Sequence, residues 1–529
     1  MPLDPDHDYT LALDLDEADD PAALAAKLAE QLGEPLAALP PLEIRKRSVD
    51  ARRGRVRFHV VVGAARHEPL GGAPLRETSG EPVIIVGAGP AGLFCAYELA
   101  RAGVRSIIVD RGKPVRARRR DLKGLTQHGR VDEDSNYCYG EGGAGTYSDG
   151  KLYTRSHKRG DVRDVLEVLA IHGAPPEILV DARPHIGSNK LPKVITALRA
   201  ALVAVGSEVR FSARVTDLVV RDGRAIGVRF ADGGELVGRA VVVATGHSAR
   251  DVLDLLARAG VRLEAKPFAM GVRIEHPQPL IDRIQYGRAA GHAKLHAAAY
   301  RLADTPPGGR GAFSFCMCPG GWIVPAATEQ DGVVVNGMSL SRRDSPFANS
   351  GLVVAIELED LARLGLPMPL GGIALQRQLE RAAAVAGGGQ LRAPAQRVTD
   401  FVAGRASSTA PRTSYEPGLC ATDVGAVLDS TGLPLAARLR DALRAFDRQL
   451  HGFVTEEAIV VGVESRTSSP VRVPRDATTL TSPDLAGLYP CAEGAGYAGG
   501  IVSAALDGAR VARVILSAAG LTAADARRS

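Results

Sequence analysis

The sequence predicts an α/β protein: a core built from βαβ units, a long α+β insertion, and a small α+β unit in front. Three observations predict it. The apolar strand "PVIIVG" enters a glycine-rich turn and a small-residue helix, "AGLFCAYELARAG", then returns as the strand "VRSIIVD". A similar strand–glycine–helix layout, "LYPCAEGAGYAGGIVSAALDGARVA", occupies residues 488–512. Between the two lie strands with Asp-Gly turns and helices such as "RLRDALRAFDRQL", with no second glycine fingerprint.

Taken in order, residues 1–75 form a separate unit with a ferredoxin-like βαβ pattern. Leu11, Leu13 and Leu15 alternate as in a strand, "PAALAAKLAEQLG" reads as a helix stopped by Gly33, and "GRVRFHVVVG" reads as a further strand. The intervening "IRKRSVDARRGRVR" is basic enough to grip phosphates, but the acidic run Asp14 to Asp20 in the same unit favours a self-paired surface. "LGGAPLRETSG" is the linker. The nucleotide-binding part then spans 81–264, where "GSEVRFSARVTDLVVRDGRAIGVRFADGGELVGRAVVVATG" alternates like several strands; 265–460 is an inserted substrate or cap domain, and 461–529 completes the nucleotide-binding part.

Bulk properties narrow the class. At 529 residues, 45% hydrophobic and 24% charged, the chain has ordinary globular composition, and a net charge of +5 does not demand a nucleic-acid partner. The start of the sequence has no signal-peptide pattern and no apolar run is long enough to span a bilayer, so a cytoplasmic protein without membrane partners is expected. Six cysteines without a CxxC suggest neither disulfide framework nor metal site. Cys316 and Cys318 are close in sequence, and as strand residues i and i+2 their thiols share a face; packing as small apolar side chains is the default expectation.

The first glycine cluster carries specific chemistry. Gly87 permits the tight turn, Gly89 lets backbone approach a pyrophosphate, and Gly92 allows close helix–strand packing. The helix opening at Pro90 and Ala91 directs free N–H groups and a positive dipole at the phosphates. Asp110, ending the second strand, is placed to accept the ribose hydroxyls of an adenosine. Two further elements select FAD among dinucleotides and make this a Rossmann-like FAD-binding domain. In "ATGHSARD", Thr245 and Gly246 close a strand with a turn suited to pass beside a flavin dinucleotide. In the C-terminal stretch, Glu493 is placed near the pyrophosphate–ribityl region, and Gly500-Ile501 open a helix aimed at the electron-rich edge of the flavin. The two glycine stretches are thus expected to hold opposite ends of one cofactor.

These residues resemble the two-dinucleotide-binding-domain flavoproteins, and more closely a bacterial family of predicted FAD-dependent dehydrogenases with an extra N-terminal domain. The matching motifs include "GEGGAGTYSDGKLYTR", "FAMGVRIEHPQ", "FSFCMCPGGWIVPA", "VNGMSLSRRDSPFAN" and "VESRTSSPVRVPRD". The resemblance implies Asp110 and Arg111 at the adenosine ribose, a backbone contact from Val215 to adenine, and Gly143, Gly145 and Thr146 near the pyrophosphate or flavin. One departure is Cys491-Ala492, where related flavoproteins often carry glycine before the acid.

The chemistry expected is an FAD-dependent oxidoreductase passing hydride or electrons between flavin and a small metabolite, an acidic one being one option. Candidate catalytic residues are Lys151, His247, Arg273 and His276, with Arg250, Glu275, Arg466 and Arg472 as further candidates; an Arg273–Glu275 ion pair is the structural alternative for those two. Without a second fingerprint, any NAD(P)H donor visits the substrate cleft transiently. Two alternatives stay open: an RNA-modifying flavoprotein using the basic stretches 45–57 and 111–123, and a non-catalytic FAD-binding redox partner.

Overall fold

A computed structural model describes residues 7–52, 55–65, 70, 72–154 and 160–521. Arg53 of the basic stretch and Arg155 of the "GEGGAGTYSDGKLYTR" motif lie outside the described residues.

The central sheet has five parallel strands in the order Leu488–Pro490, Ala240–Val243, Ser79–Val86, Val104–Val109, Glu208–Arg210. Its strands read as continuous apolar runs because both faces are covered, one by helices and the other by a three-stranded meander with helix Arg250–Arg258: Val83, Ile84, Ile85, Ile108, Val241 and Val242 are wholly buried. The last strand in the chain pairs beside Ala240–Val243, so the C-terminal segment returns to a sheet begun at residue 79. This is the α/β fold with a Rossmann-like FAD-binding core that the glycine pattern predicts.

Two helices lie over that sheet in direct backbone contact, Pro90–Arg101 and Ile501–Ala518. A Cβ on Gly508 would sit 2.0 Å from the carbonyl oxygen of Ala91, so only glycine permits this spacing. Gly508→Val is expected to destabilise the protein by about 3 kcal/mol through overpacking, measured by chemical unfolding of the purified chain. A stability equal to wild type would contradict the close approach.

A larger, mostly antiparallel sheet of seven strands follows in the order Ala303–Asp304, Ala312–Cys318, Phe347–Ile356, Phe268–Pro277, Ile459–Glu464, Ala393–Arg397, Leu419–Ala421. Helices Gly371–Gly387 and Leu435–Gln449 bury apolar faces in the same core. The strand Ile459–Glu464 runs through residue 460, so the expected division between 265–460 and 461–529 falls inside an element. A separate three-stranded meander, Val215–Arg221, Arg224–Phe230 and Glu235–Val237, turns at Asp222-Gly223, both with positive φ.

The N-terminal unit is a βαββ arrangement, half of a ferredoxin-like topology, with its third strand central: Tyr9–Leu13, Arg57–Ala64, Leu42–Asp50. Its helix Pro21–Leu32 starts at Asp20, whose side chain accepts from the Ala22 N–H, and stops at Gly33 in a left-handed conformation. The strand Leu42–Asp50 is the element that the basic composition hid. Charges of the basic stretch are paired locally: Arg47 lies 2.7 Å from Asp19, and Arg55 and Arg57, beyond the strand, lie 3.1 and 3.3 Å from Asp14. Arg47 also reaches Asp181 at 3.1 Å, tying the unit to the main body.

Candidate active site

A cavity of about 540 Å³ opens where the glycine stretches converge. Two helix N-termini face it. Gly89 caps Pro90–Arg101 and Gly500 caps Ile501–Ala518, and neither helix start has a side-chain cap, so first-turn N–H groups are presented at the cavity. At Gly89 an added Cβ would find only the Gly143 Cα, at 3.9 Å, and at Gly500 (φ 81) it would find nothing within 4 Å. The turn Gly143–Gly145 bridges the two starts: a Cβ on Gly143 would lie 3.1 Å from the Gly89 Cα, and one on Gly145 3.0 Å from Ile501 Cγ1. This is a cradle shaped for an extended dianionic group with a positive dipole at each end.

Of the residues singled out from sequence, Gly87, Gly89, Pro90, Ala91, Asp110, Arg111, Gly143, Gly145, Val215, Thr245, Gly246, Glu493, Gly500 and Ile501 line the cavity, as do Lys151 and His247. Gly92 stands behind the wall, where its missing side chain leaves room for the Gly87 carbonyl, 2.0 Å from an ideal Cβ. Thr146 is fully buried and donates to the Glu141 carbonyl, fixing the turn from behind.

Asp110 does more than the ribose expectation requires. Its carboxylate accepts from the N–H of Ala88 at 2.8 Å, Gly112 at 2.8 Å and Gly140 at 3.0 Å, which binds three loops together. Three of about four acceptor positions are therefore engaged, leaving about one for a ligand. Asp110→Ala is expected to lower folding stability by about 3 kcal/mol or more as well as FAD content, seen in thermal unfolding of the chain stripped of FAD. A loss of FAD with unchanged unfolding would show a purely ligand-directed carboxylate.

Arg111 stacks over Tyr139, its guanidinium carbon 4.7 Å from the ring centre, and pairs with Asp134 at 2.8 Å and Asp251 at 3.0 Å. His247 Nδ1 lies 3.4 Å from Glu493 Oε2, joining the "ATGHSARD" and "CAEGAG" segments at the cavity wall. Lys151 Nζ sits 3.2 Å from Asp149 and within 3.7 Å of the sulfurs of both Cys316 and Cys318. Burial works against its charge, but Asp149 and the two sulfurs outweigh burial and hold the ammonium above the usual lysine range.

The other catalytic candidates are placed differently. Arg273 is fully buried outside the cavity, held by Glu464 at 2.6 Å, Asn349 at 2.7 Å and the Cys316 carbonyl at 2.7 Å. Glu275 is engaged instead by the Ser414 N–H and hydroxyl, so the alternative of an Arg273–Glu275 ion pair does not form either. His276 is also fully buried, with Nε2 2.8 Å from the Phe453 carbonyl. Both are strand residues of Phe268–Pro277, whose whole length lies in the sheet interior. Arg472 is exposed and lines no part of the cavity.

Burial lowers the His276 pKa to about 4. The unfolded imidazole titrates near 6.5, so the neutral buried form contributes stability above that pH, and the contribution is lost as pH falls towards 4. His276→Phe is expected to reduce the fall in unfolding free energy between pH 7 and pH 4.5 by about 2–3 kcal/mol. An unchanged pH slope in urea unfolding would refute this.

Sequence reasoning passed over Glu380. It lies on helix Gly371–Gly387 and clasps Arg250 at 2.7 Å and Arg466 at 2.8 Å, with Ser465 donating to it as well. Burial opposes its charge, but the two guanidiniums outweigh burial and hold its carboxyl far below the usual range. Arg250 and Arg466 are therefore engaged in joining the insertion to the nucleotide-binding core. Phe315, also missed, brings the seven-stranded sheet to the cavity, and Asn336 brings a separate two-stranded sheet, Gly321–Pro325 with Val335–Ser339; their only signal is membership of the quoted motifs.

Fold and site together define an FAD-binding flavoprotein. The family described as FAD binding domain matches residues 81–130, and the family described as FAD-dependent protein, C-terminal domain-like, matches 267–467. A domain of unknown function matches 6–65. An uncharacterized protein of Clostridium beijerinckii is 39% identical over 523 residues, covering 94% of this chain and 96% of the relative. The chain belongs to that protein's family, an FAD-dependent family with an FAD-binding domain and this C-terminal domain. A thiamine thiazole synthase of Aeropyrum pernix is 29% identical over 146 residues, 28% of this chain and 42% of the relative. Among solved structures, a flavocytochrome c3 fumarate reductase aligns at 14% identity over 84% of this chain and 78% of its own, with a TM-score of 0.34. Among the described residues no helix is long and apolar enough to cross a membrane.

Proposed function

We propose that the protein is an FAD-dependent oxidoreductase acting on a small molecule that enters beside Lys151, Cys316 and Asn336. One observation carries this reading: a single cavity is walled both by the glycine-capped helix starts and by Phe315, Cys316, Asn336 and Gly337 of the large insertion. Bound FAD would supply hydride or electron transfer. Gly89, Gly143 and Pro90 would hold its phosphates, Asp110, Arg111 and Val215 its adenosine end, and Thr245, Gly246, Glu493, Gly500 and Ile501 its flavin end. In this division 81–264 and 461–529 hold the cofactor, 265–460 covers it, and 1–75 stands as an N-terminal unit.

The cavity cations qualify the substrate. Arg466 is engaged by Glu380, Lys151 by Asp149, and Arg111 and Arg214 by Asp251. An acidic substrate would compete with these carboxylates, so a neutral or weakly charged group meeting Asn336 and His247 fits better than a strongly anionic one. Anaerobic titration of the FAD-loaded chain with a metabolite panel tests the reading. Rapid flavin reduction by a metabolite, without comparable reduction by NAD(P)H alone, is expected; no spectral response to any compound would overturn it.

A further inference from the structure

The strand Ala312–Cys318 ends irregularly. Phe315 pairs with Gly351 and Cys318 with Asn349, so Cys316 and Met317 together oppose Ser350 in a β-bulge. Cys316 sits in the left-handed region, with φ 45. That position ordinarily favours glycine, so a side chain held there is strained.

The bulge brings two sulfurs to one ammonium. Lys151 Nζ lies 3.7 Å from Cys316 Sγ and 3.6 Å from Cys318 Sγ. Arg273 adds a second cation, its Nη2 3.6 Å from Cys318 Sγ while also donating to the Cys316 carbonyl at 2.7 Å. Asp149 fixes Lys151 from the far side and is itself held by Arg343 at 2.6 Å and by Ser339. Glu464 completes the surroundings through its 2.6 Å contact with Arg273. Cys318 is wholly buried, whereas Cys316 is half-buried and lines the FAD cavity. A hydrogen bond from Cys318, aided by Lys151 and Arg273 against burial, pushes the Cys316 thiol well down, while the same bond and burial push Cys318 well up. The fold thus sets a cavity-lining thiol and a buried one, whose Sγ donates to the Cys316 carbonyl at 3.4 Å, beside the same ammonium.

We propose that Cys316 and Cys318 are a redox-active dithiol/disulfide pair at the FAD cavity, with small-molecule disulfides as the substrate class. This rests on the oxidoreductase reading and gives it a substrate. The Cys316 thiolate attacks one sulfur of the external disulfide; an S–S bond to Cys316 forms, the external S–S bond breaks, and the first thiolate leaves. Cys318 gives its proton to that leaving group and attacks Cys316 Sγ, displacing the second thiolate, which is protonated from solvent. The substrate gains two electrons and two protons, one proton from Cys318 and one from solvent; the pair, having given up two electrons and the Cys318 proton, becomes a disulfide. Bound FAD, when reduced, would supply the two electrons, and solvent the proton, that return the pair to a Cys316 thiolate and a Cys318 thiol. Cys316 is the catalytic residue; Lys151 is a positioning residue, favouring the thiolate.

The test uses the FAD-loaded full chain and the neutral aromatic disulfide 4,4′-dithiodipyridine, whose reduction releases a chromophoric thiopyridone. With the pair reduced, one equivalent of probe is expected to release two equivalents of chromophore in a fast phase, leaving Cys316 linked to Cys318 in peptide mass spectra. Cys318→Ser should release one equivalent and retain the mixed disulfide on Cys316; Cys316→Ser should lose the fast phase; Lys151→Met should slow it at least about tenfold at neutral pH. In anaerobic dithiothreitol titrations, flavin bleaching should be at least tenfold slower in both cysteine variants. The proposal is overturned if Cys316 reacts no faster than Cys138 and Cys420, or if both thiols are labelled without a cross-link. Equal bleaching in all variants also overturns it. Flavin reduction by another metabolite with no fast thiol phase would defeat the dithiol alone; a fast thiol phase with a flavin inert to every reductant would defeat the oxidoreductase reading instead.

Discussion

Gly89→Val is expected to give a folded protein that retains no FAD. At φ −76 the Gly89 backbone is open to any residue, and the nearest atom to an added Cβ, the Gly143 Cα at 3.9 Å, leaves space for it. The valine methyls would project from the N-cap into the gap between the fingerprint turn and Gly143–Gly145, where the cavity must admit the pyrophosphate. The contrast with Gly92 is informative, because there a Cβ would strike the Gly87 carbonyl and damage folding itself. Unfolding of the FAD-free Gly89→Val protein should stay within about 1 kcal/mol of the FAD-free wild type. FAD affinity should fall at least about 100-fold, about 2.7 kcal/mol. Stoichiometric FAD in the purified variant would sink this placement of the phosphates.

Glu380→Ala is expected to be the most damaging single substitution at the junction of insertion and core. It would leave the Arg250 and Arg466 guanidiniums buried without their carboxylate, at a cost of about 3–5 kcal/mol. Because Arg466 lines the cavity, flavin release should precede or accompany unfolding, read by flavin fluorescence during a thermal ramp. A second variant separates charge from shape. Replacing Glu380, Arg250 and Arg466 together with leucine or methionine removes the unpaired charges and should recover at least half of the lost thermal stability. If Glu380→Ala unfolds like wild type, the knot is not a structural joint.

The nucleotide-binding half was legible because its chemistry is local. The turn from "PVIIVG" into "AGPAG" needs small residues at fixed offsets whatever the rest of the chain does, and Gly508 marks helix contact for the same steric reason. The return of residues 488–490 to the first sheet could be read from the paired glycine-and-helix layouts. The basic stretch was harder, since seven basic residues within 44–57 masked a strand that shows its role only beside Asp14, Asp19 and Asp181. His276 and Arg273 illustrate a different limit: a polar residue looks equally reactive in sequence whether it faces a cavity or lies in a sheet interior.

By itself, then, the sequence determined the α/β class, the glycine turns and the convergence of two distant segments on one cavity, because each follows from backbone geometry within a few residues. Only the tertiary structure decided which charges are free and which are engaged. It set Glu380 between Arg250 and Arg466, turned Asp110 towards three backbone N–H groups, and gathered Cys316, Cys318 and Lys151. The physical reason is that desolvation and Coulomb energies depend on distances between segments far apart in sequence, and a charged side chain acquires its role from the partner that burial puts beside it.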